Sequence, residues 1–175
     1  MNPRCSVFIA TSLDGFIAED DGALDFLSVV EDSTTDYGYG DFIATVDAIV
    51  MGRATYEVGL GFPLWPYSGQ RVIVLTSGSP KESVNGEEFS SEEPAALVSR
   101  LGSEGVARIY VDGGATIRSF LAAGLIDDLV ISVIPRILGR GIPLFGLGIP
   151  SLALRLERAE TFESGLVQLS YSRAA

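Results

Sequence analysis

The sequence predicts an α/β fold in which helices flank a mixed central sheet, mostly parallel, with an antiparallel C-terminal edge. Short apolar runs alternate with helix-like segments over the first two thirds of the chain, which is typical of parallel strands joined by helices. Strand-like runs then follow one another without a helix, which indicates an antiparallel edge. With 175 residues, 47% of them hydrophobic, we expect a single domain with a sizeable core.

Seven apolar runs are strand candidates, because each is short and bounded by turn residues. They cover residues 6–10, 48–51, 71–75, 108–111, 128–137, 152–156 and 166–172. Helices are predicted over 36–45, 53–60, 92–101 and 115–123. The segments 11–24 and 78–91 carry turn chemistry and are expected to be loops. A loop as long as 11–24 in a compact domain is either functional or disordered.

Several classes of chemistry are excluded by what the chain lacks. It has no histidine, so Ser-His and Cys-His nucleophilic sites are excluded and a zinc or other metal site is not expected. Its only lysine, Lys81, lies in a Gly/Ser/Pro-rich stretch, which argues against a Walker-type phosphate loop. The single cysteine, Cys5, is expected to be a buried small hydrophobe. Carboxylates, hydroxyls, arginines and backbone groups remain, or a cofactor with its own reactivity.

The charge and hydropathy patterns set expectations about partners. A net charge of -11 disfavours nucleic acid and acidic membrane surfaces. No apolar stretch reaches the roughly 18 residues that suggest a membrane span, and no signal peptide is evident. We therefore expect a cytoplasmic protein whose partner is a small molecule. An anionic ligand must then be held by local devices, such as helix N-termini and a few arginines.

Two places combine a strand end, glycine and a helix start, which is the arrangement that binds phosphate. The first holds Gly52, Arg53 and Thr55, and the second spans 111–116. Either one alone is an ordinary strand-to-helix turn or a phosphate cradle, but two in one small chain suggest that both ends of a pyrophosphate are held. The residues proposed in the second cradle are Val111, Gly113, Gly114, Ala115 and Thr116.

Two further features of the sequence each have a simpler interpretation. Thr76 and Ser77 follow a strand in the same part of the sheet, where they could reach a ribose or a 2'-phosphate, or simply start the next turn. The glycines over 139–148 do not give the GxGxxG spacing of a Rossmann fingerprint, and Pro143 and Pro150 prevent the required helix.

Four segments carry a family resemblance: residues 10–18, 47–57, 111–114 and 134–145. In this order and spacing, the chain resembles the dihydrofolate-reductase superfamily over essentially its whole length. Within it, the chain is similar to the branch that contains the reductase domain of the bifunctional deaminase-reductase of riboflavin synthesis and its small stand-alone homologues. The Leu-Gly-Arg-Gly segment at 138–141 points to that branch. The resemblance implies the three-layer, dihydrofolate-reductase-like fold and often a homodimer.

The resemblance also implies a nicotinamide cofactor, NADPH, with NADH left open because Gly78 stands where many family members have a basic residue. It implies that the 13–18 loop closes over the nicotinamide and that the Gly113–Gly114 bond is cis. The implied contacts are Ala10 and Ile17 with the nicotinamide, Gly52, Arg53 and Thr55 with the adenosine phosphates, Thr76 and Ser77 with the adenosine ribose, and residues 113–116 with the pyrophosphate.

The expected function is an NAD(P)H-dependent reductase of a small pterin- or pyrimidine-like molecule. Alternatives are a reductase of a ribosylaminopyrimidine phosphate of riboflavin synthesis, or a non-catalytic nucleotide-binding module. A carboxylate with a pKa raised by burial is the expected proton-handling group, with Asp36 first and Asp41 second, unless both merely cap or face solvent. Tyr37, Tyr39 or a water are other candidates. The apolar strand at 129–134 either forms a homodimer surface or fills the core.

Overall fold

The computed structural model describes residues 2–31, 34–78 and 82–174, and its described part contains one large and one small sheet. The strands are β1 (Arg4–Ser12), β2 (Phe16–Ala18), β3 (Ala48–Gly52), β4 (Arg71–Leu75), β5 (Glu88–Ser90), β6 (Arg108–Asp112), β7 (Asp128–Ile134), β8 (Ile142–Pro143), β9 (Leu154–Thr161) and β10 (Val167–Arg173). The helices are a 3-10 turn (Asp25–Leu27), α1 (Ser28–Glu31), α2 (Tyr39–Ile43), α3 (Arg53–Leu60), α4 (Pro94–Ser103) and α5 (Gly114–Ala122).

The large sheet has eight strands in the order β5-β4-β3-β6-β1-β7-β10-β9. The pairs from β5 to β7 are all parallel, whereas β10 is antiparallel to both β7 and β9. The predicted mixed sheet with an antiparallel C-terminal edge is therefore confirmed. Since the carboxyl ends of parallel strands share one sheet edge, the segments that follow β1, β3, β4 and β6 lie side by side.

Alternating side chains on β3 divide the core between the two faces of the sheet. Ala48 and Val50 pack in a cluster with residues of α4 and α5. Ile49 and Met51 point the other way, into an aromatic-rich cluster with residues of α2 and α3. This period of two, with apolar residues on both faces, explains the unbroken apolar run of a parallel strand covered by helices on both sides.

Several element boundaries differ from the sequence predictions. The strands β2 and β5 lie in the segments 11–24 and 78–91 that were predicted as loops, and β8 was not predicted, because two or three residues carry no readable periodicity. The predicted helix 36–45 is only Tyr39–Ile43, since Gly38 stands at φ 80° just before it. The strand β9 runs on to Thr161, and its exposed, charged residues hide it from a search for apolar runs.

The apolar strand at 129–134 lies inside the sheet rather than at its edge. It is part of β7, which is hydrogen-bonded to β1 on one side and to β10 on the other. Leu129 and Ile134 are both buried in the chain's own apolar clusters. This placement favours the interpretation in which the strand fills the core. In the described residues, no helix has the length and apolar character needed to cross a membrane.

Candidate functional site

A cavity of about 830 Å³ opens at the carboxyl edge of the parallel strands. Its walls come from β1, the loop that contains β2, the first turns of α3 and α5, and the end of β6. This is the position at which open α/β sheets bind their ligands. Both predicted phosphate cradles line this one cavity.

The two cradles are neighbours because β3 and β6 are paired in the sheet. Gly52 precedes α3 and Gly113 precedes α5, and neither N-cap makes a side-chain hydrogen bond to the helix. Because both N-cap residues are glycines, no N-cap side chain accepts a hydrogen bond from the first N–H groups of either helix at the cavity wall. Two such helix ends side by side form a cradle for two adjacent anionic groups.

Each cradle is also held in place by a threonine of the other. A Cβ at Gly113 would overlap the Thr55 Oγ1 of α3, and a Cβ at Gly52 would lie 3.0 Å from the Thr116 Oγ1 of α5. Gly113 also has φ 85°, a conformation that favours glycine. The glycines therefore allow the two turns to interlock.

Gly114 brings the loop after β1 onto the second cradle. A Cβ there would lie 2.6 Å from Ile17 Cδ1 and 2.9 Å from Arg118 Nη1. The expected cis bond between Gly113 and Gly114 is wrong, because no peptide bond among the described residues is cis. The positive φ of Gly113 turns the chain from β6 into α5 with trans bonds.

Nine of the residues predicted to bind the cofactor line the cavity and three do not. Thr76 starts the turn after β4, where its Oγ1 accepts a hydrogen bond from Gly78 N at 3.2 Å, and Ser77 is exposed. Val111 is fully buried in the core. The nine that line it are Ala10, Ile17, Gly52, Arg53, Thr55, Gly113, Gly114, Ala115 and Thr116.

Asp112, the last residue of β6, lines the same cavity and is a half-buried carboxylate that sequence reasoning missed. Its Oδ1 accepts a hydrogen bond from Gly113 N at 2.8 Å, and its Oδ2 accepts one from the Tyr67 hydroxyl at 2.9 Å. Burial raises the pKa of Asp112 above the usual range, although the hydrogen bonds from Tyr67 and Gly113 act to lower it. The side chain can thus hold a proton more readily than an ordinary aspartate.

Aromatic rings surround Asp112 on the α2 and α3 side of the sheet. Tyr110 donates its hydroxyl proton to the Phe8 carbonyl at 2.9 Å, and the Phe8 ring packs against Tyr39 with centroids 5.6 Å apart. Burial, followed by the charge of Asp112, raises the pKa values of Tyr39, Tyr67 and Tyr110. These phenols remain protonated and available as hydrogen-bond donors.

The expected buried carboxylate is wrong for Asp36. This side chain is exposed, and its two oxygens accept hydrogen bonds from Gly38 N at 2.9 Å and Gly40 N at 3.0 Å. Those bonds lower its pKa instead of raising it. Asp41 is also exposed, and neither aspartate lines the cavity. Tyr37 lies elsewhere, with its hydroxyl donated to Ser164 Oγ at 3.2 Å.

Residues 138–144, which we call the strap, are hydrogen-bonded to the loop that carries Ile17. Asp14 accepts hydrogen bonds from Leu138 N at 3.1 Å and Gly139 N at 2.7 Å, and Leu144 N donates to the Gly15 carbonyl at 2.9 Å. β2 pairs with β8 within this strap, and Arg118 donates to the Pro143 carbonyl. The loop over the second cradle is therefore tied to α5 through the strap.

The fold and the site together define an α/β protein whose sheet is covered by helices on both faces, with two neighbouring anion cradles and the half-buried carboxylate of Asp112 in one cavity. Comparison with known proteins gives its family. The sequence description of the RibD C-terminal domain matches residues 3–168, so the chain belongs to the RibD C-terminal domain family. The resemblance to the riboflavin-type branch is thereby confirmed.

Relatives of similar length share this fold from end to end. The chain is 40% identical to the uncharacterized protein YwjB of Bacillus subtilis (strain 168), over 99% of this chain and 100% of that one. It is 37% identical to the "putative riboflavin biosynthesis protein" from Shewanella sp. PV-4, with a TM-score of 0.90 and complete coverage of both chains.

A more distant likeness concerns the fold alone. The diaminohydroxyphosphoribosylaminopyrimidine deaminase/5-amino-6-(5-phosphoribosylamino)uracil reductase of Thermotoga maritima is 16% identical, with a TM-score of 0.74. The match covers 99% of this chain and 57% of that larger one. Together with the Shewanella structure, this likeness confirms the predicted fold.

Proposed function

We propose that the protein is an NADPH-dependent reductase of a small pterin- or pyrimidine-like molecule. The observation that carries the proposal is that two interlocked helix starts with glycine N-caps and the half-buried carboxylate of Asp112 line one cavity. Family membership supports the oxidoreductase class. Because the open helix ends need little basic charge to hold a diphosphate, the net charge of -11 is no obstacle.

The cradle glycines and threonines fit the phosphates of such a cofactor. Gly52, Arg53 and Thr55 would face the adenosine phosphates, and the first turn of α5 would face the pyrophosphate. Arg53 also reaches the turn after β4, since a Cβ at Gly78 would lie 3.5 Å from its Nη1. Arg53 can therefore supply the charge for a 2'-phosphate that the family resemblance assigns to a basic residue at position 78, which favours NADPH over NADH.

Ala10 and Ile17 would flank the nicotinamide, and the strapped loop would exclude water from it. The bound cofactor supplies a hydride to the carbon of an electrophilic C=N or C=O group. The protein orients the acceptor and delivers the matching proton to its nitrogen or oxygen. Asp112 is the group that we assign to this proton, because burial raises its pKa and it holds a proton more readily than an ordinary aspartate.

The test follows NADPH oxidation after addition of oxidised pterins and aminopyrimidines. We expect saturable NADPH binding by calorimetry and oxidation with at least one acceptor. Asp112→Asn should retain NADPH binding and lose about 10²- to 10⁴-fold in turnover, the usual contribution of a general acid. Asp36→Asn, outside the cavity, serves as the control and should keep its turnover. No heat with NADPH at millimolar concentration would refute the proposal, and binding without oxidation would indicate a nucleotide sensor.

A further inference from the structure

Tyr67 donates its hydroxyl proton to the carboxylate that we assign to proton delivery. The Tyr67 Oη and the Asp112 Oδ2 lie 2.9 Å apart, and both residues line the cavity. We infer that Tyr67 is a positioning residue, which makes Oδ2 the proton-bearing oxygen of Asp112 and holds it in place for delivery. This inference rests on the proposed reductase function and adds to it a residue that acts through Asp112.

The two oxygens of Asp112 have different neighbours. Oδ1 accepts a hydrogen bond from Gly113 N at 2.8 Å, and a backbone N–H group can only donate. Oδ2 faces the phenol hydroxyl of Tyr67, which can rotate and can either donate or accept. In a protonated carboxyl group the carbonyl oxygen is the better acceptor, so the Gly113 amide favours Oδ1 as the carbonyl. The proton of Asp112 therefore resides on Oδ2, beside Tyr67.

Delivery of this proton leaves a carboxylate. As the O–H bond at Oδ2 breaks, the proton passes to the nitrogen or oxygen of the acceptor and the electron pair stays on Asp112. Hydrogen bonds from Tyr67 and from Gly113 N strengthen as this charge develops, because a donor binds an ionised oxygen more strongly than a neutral one. The Tyr67 bond is thus stronger in the transition state than before it, which raises the rate rather than the affinity. A proton from bulk water restores Asp112 for the next turnover.

Aromatic packing fixes where the Tyr67 hydroxyl lies. The Tyr67 ring meets Trp65 edge to face, with centroids 5.1 Å apart, and Trp65 meets Tyr56 in the same way at 5.8 Å. Tyr56 is buried, and its hydroxyl is bonded to Glu87. A Cβ at Gly59 would lie 3.1 Å from Trp65 Cζ3 and 3.4 Å from Tyr67 Cε2, so this glycine lets the two rings approach α3. Tyr67 is therefore anchored to α3 through a row of packed rings.

The other two phenols around Asp112 do not donate to it. Tyr110 donates its hydroxyl proton to the Phe8 carbonyl at 2.9 Å. Tyr39 packs in the same aromatic cluster, and burial followed by the charge of Asp112 raises its pKa, but no hydrogen bond joins the two side chains among the described residues. Within the described part of the chain, Tyr67 is thus the side chain that donates to this carboxylate.

The cationic side chains that line the cavity are engaged elsewhere. Arg53 Nε donates to Glu57 Oε1 at 2.9 Å, and Arg118 Nη1 donates to the Pro143 carbonyl at 2.5 Å. In the residues that the structure describes, neither arginine forms an ion pair with Asp112. Hydrogen bonds, rather than an ion pair, therefore set how tightly this carboxyl group holds its proton once burial has raised its pKa.

A single hydroxyl can be removed to test this role. Tyr67→Phe keeps the ring and should lower kcat by about 10-fold or more, the usual cost of losing a hydrogen bond to a charged group. The KM for NADPH should stay nearly unchanged, because the lost bond acts in the transition state. The high-pH limb of the kcat profile, where Asp112 loses its proton, should move up by about one pH unit, since a bond that favours the ionised form is gone.

Tyr37→Phe is the matched control, because it also removes a donating hydroxyl, whose partner is Ser164 Oγ at 3.2 Å. Tyr37 does not line the cavity, so both kcat and the high-pH limb should stay as in the parent protein. A fall in kcat for Tyr67→Phe without a shift of the limb would show that Tyr67 only supports the fold, and it would count against the inference.

A second readout needs no turnover. The Gly113 amide donates to Oδ1, so its NMR chemical shift follows the titration of Asp112 in the folded chain. We expect the midpoint to move up by about one pH unit in Tyr67→Phe and to stay in place in Tyr37→Phe. A midpoint that does not move, or that moves equally in both variants, would overturn the inference.

The two proposals fail in different ways. Absence of NADPH oxidation by the parent protein would refute the proposed function, and the Gly113 titration still decides whether Tyr67 controls the proton of Asp112. Oxidation by the parent protein together with an unmoved Gly113 titration would refute only the role of Tyr67.

Discussion

Thr55 and Gly113 interlock across two neighbouring strand-to-helix turns. The Thr55 side chain occupies the space that a Cβ on Gly113 would need, while Thr116 lies in the same relation to Gly52. Because β3 and β6 are adjacent, this reciprocal packing fixes the spacing of two helix N-termini that face one cavity. The geometry of the proposed diphosphate site thus depends on contacts between the cradles themselves.

Gly113→Ala should weaken NADPH binding by at least about 10-fold and destabilise the fold. The φ of 85° alone costs about 1–3 kcal/mol for a residue with a Cβ, and overlap with Thr55 adds to it. Calorimetry with NADPH and urea unfolding measure the two effects. Gly69→Ala is the matched control, since Gly69 has φ 81° and no atom within 4 Å of its Cβ position.

The double variant separates overlap from backbone strain. Thr55→Ala removes the Oγ1 that the new methyl group meets, so adding it to Gly113→Ala should restore part of the lost stability. If the double variant is no more stable than the additive sum of the single variants, the interlock does not act as described.

Asp112→Asn should change how stability depends on pH. Because burial raises the pKa of Asp112 in the folded protein, the fold binds this proton more tightly than the unfolded chain does. The contribution of Asp112 to stability is therefore complete below the ordinary aspartate pKa, and it is lost as pH rises through the raised value. The variant lacks this titration and should gain stability relative to the parent protein over the same window. A constant difference in urea midpoints across that window would contradict the assignment.

The pH dependence of stability that Glu87 causes has the opposite sign to that of Asp112. This buried carboxylate accepts a short hydrogen bond from the Tyr56 hydroxyl at 2.5 Å and others from Val84 N and Asn85 N at 2.8 and 2.7 Å. Burial acts to raise its pKa, but these hydrogen bonds lower it to about 2. The stabilisation is complete above pH 4.5, the ordinary value, and is lost as pH falls towards 2.

Glu87→Gln should therefore cost about 1–3 kcal/mol at neutral pH, the usual result of weakening hydrogen bonds to a buried charged group. Denaturant unfolding between pH 7 and pH 3 should show the cost shrinking below pH 4.5. Glu82→Gln is the control, because Glu82 is exposed and lies in the same loop. A cost that stays the same at acid pH would mean that the charge of Glu87 does not stabilise the loop.

Local sequence signals were sufficient for the five long parallel strands and for the two strand-to-helix turns that form the cradles. An apolar run such as the one that became β3 can be identified because a parallel strand is covered on both faces. A glycine between such a run and a helix start identifies a possible cradle for the same local reason. The part of β9 after residue 156 was not predicted, because its exposed residues leave no apolar pattern.

Local sequence signals could not identify Asp112 as the carboxylate in the cavity. Asp36 lies two residues before Gly38, which is the spacing at which an aspartate caps its own turn. Its oxygens accept hydrogen bonds from the Gly38 and Gly40 amides, so it is such a cap. The environment of Asp112 depends on Tyr67, which is 45 residues away in the sequence. One local signal was available: Asp112 is the single carboxylate in the strand β6 and directly precedes two glycines.

Asp14 should control access to the proposed nicotinamide position through the strap. Its carboxylate accepts hydrogen bonds from the Leu138 and Gly139 amides. The hydrogen bond from Ser12, followed by those from the two amides, lowers the pKa of Asp14. Without these bonds the strap is attached to the loop that carries Ile17 only by the Leu144 to Gly15 hydrogen bond and the pairing of β2 with β8. Asp14→Ala should therefore speed hydrogen exchange of the 138–139 amides by about 10-fold or more and raise the KM for NADPH.

The control for this change lies in the same loop. Asp21 accepts a hydrogen bond from Ala23 N at 2.9 Å, a local turn contact with no reach to the strap. Asp21→Ala should leave exchange at 138–139 unchanged because the two segments stay connected through Asp14. If both variants accelerate exchange equally, general loosening of the loop explains the effect. If neither does, the pairing of β2 with β8 and the Leu144 to Gly15 hydrogen bond suffice to hold the strap closed.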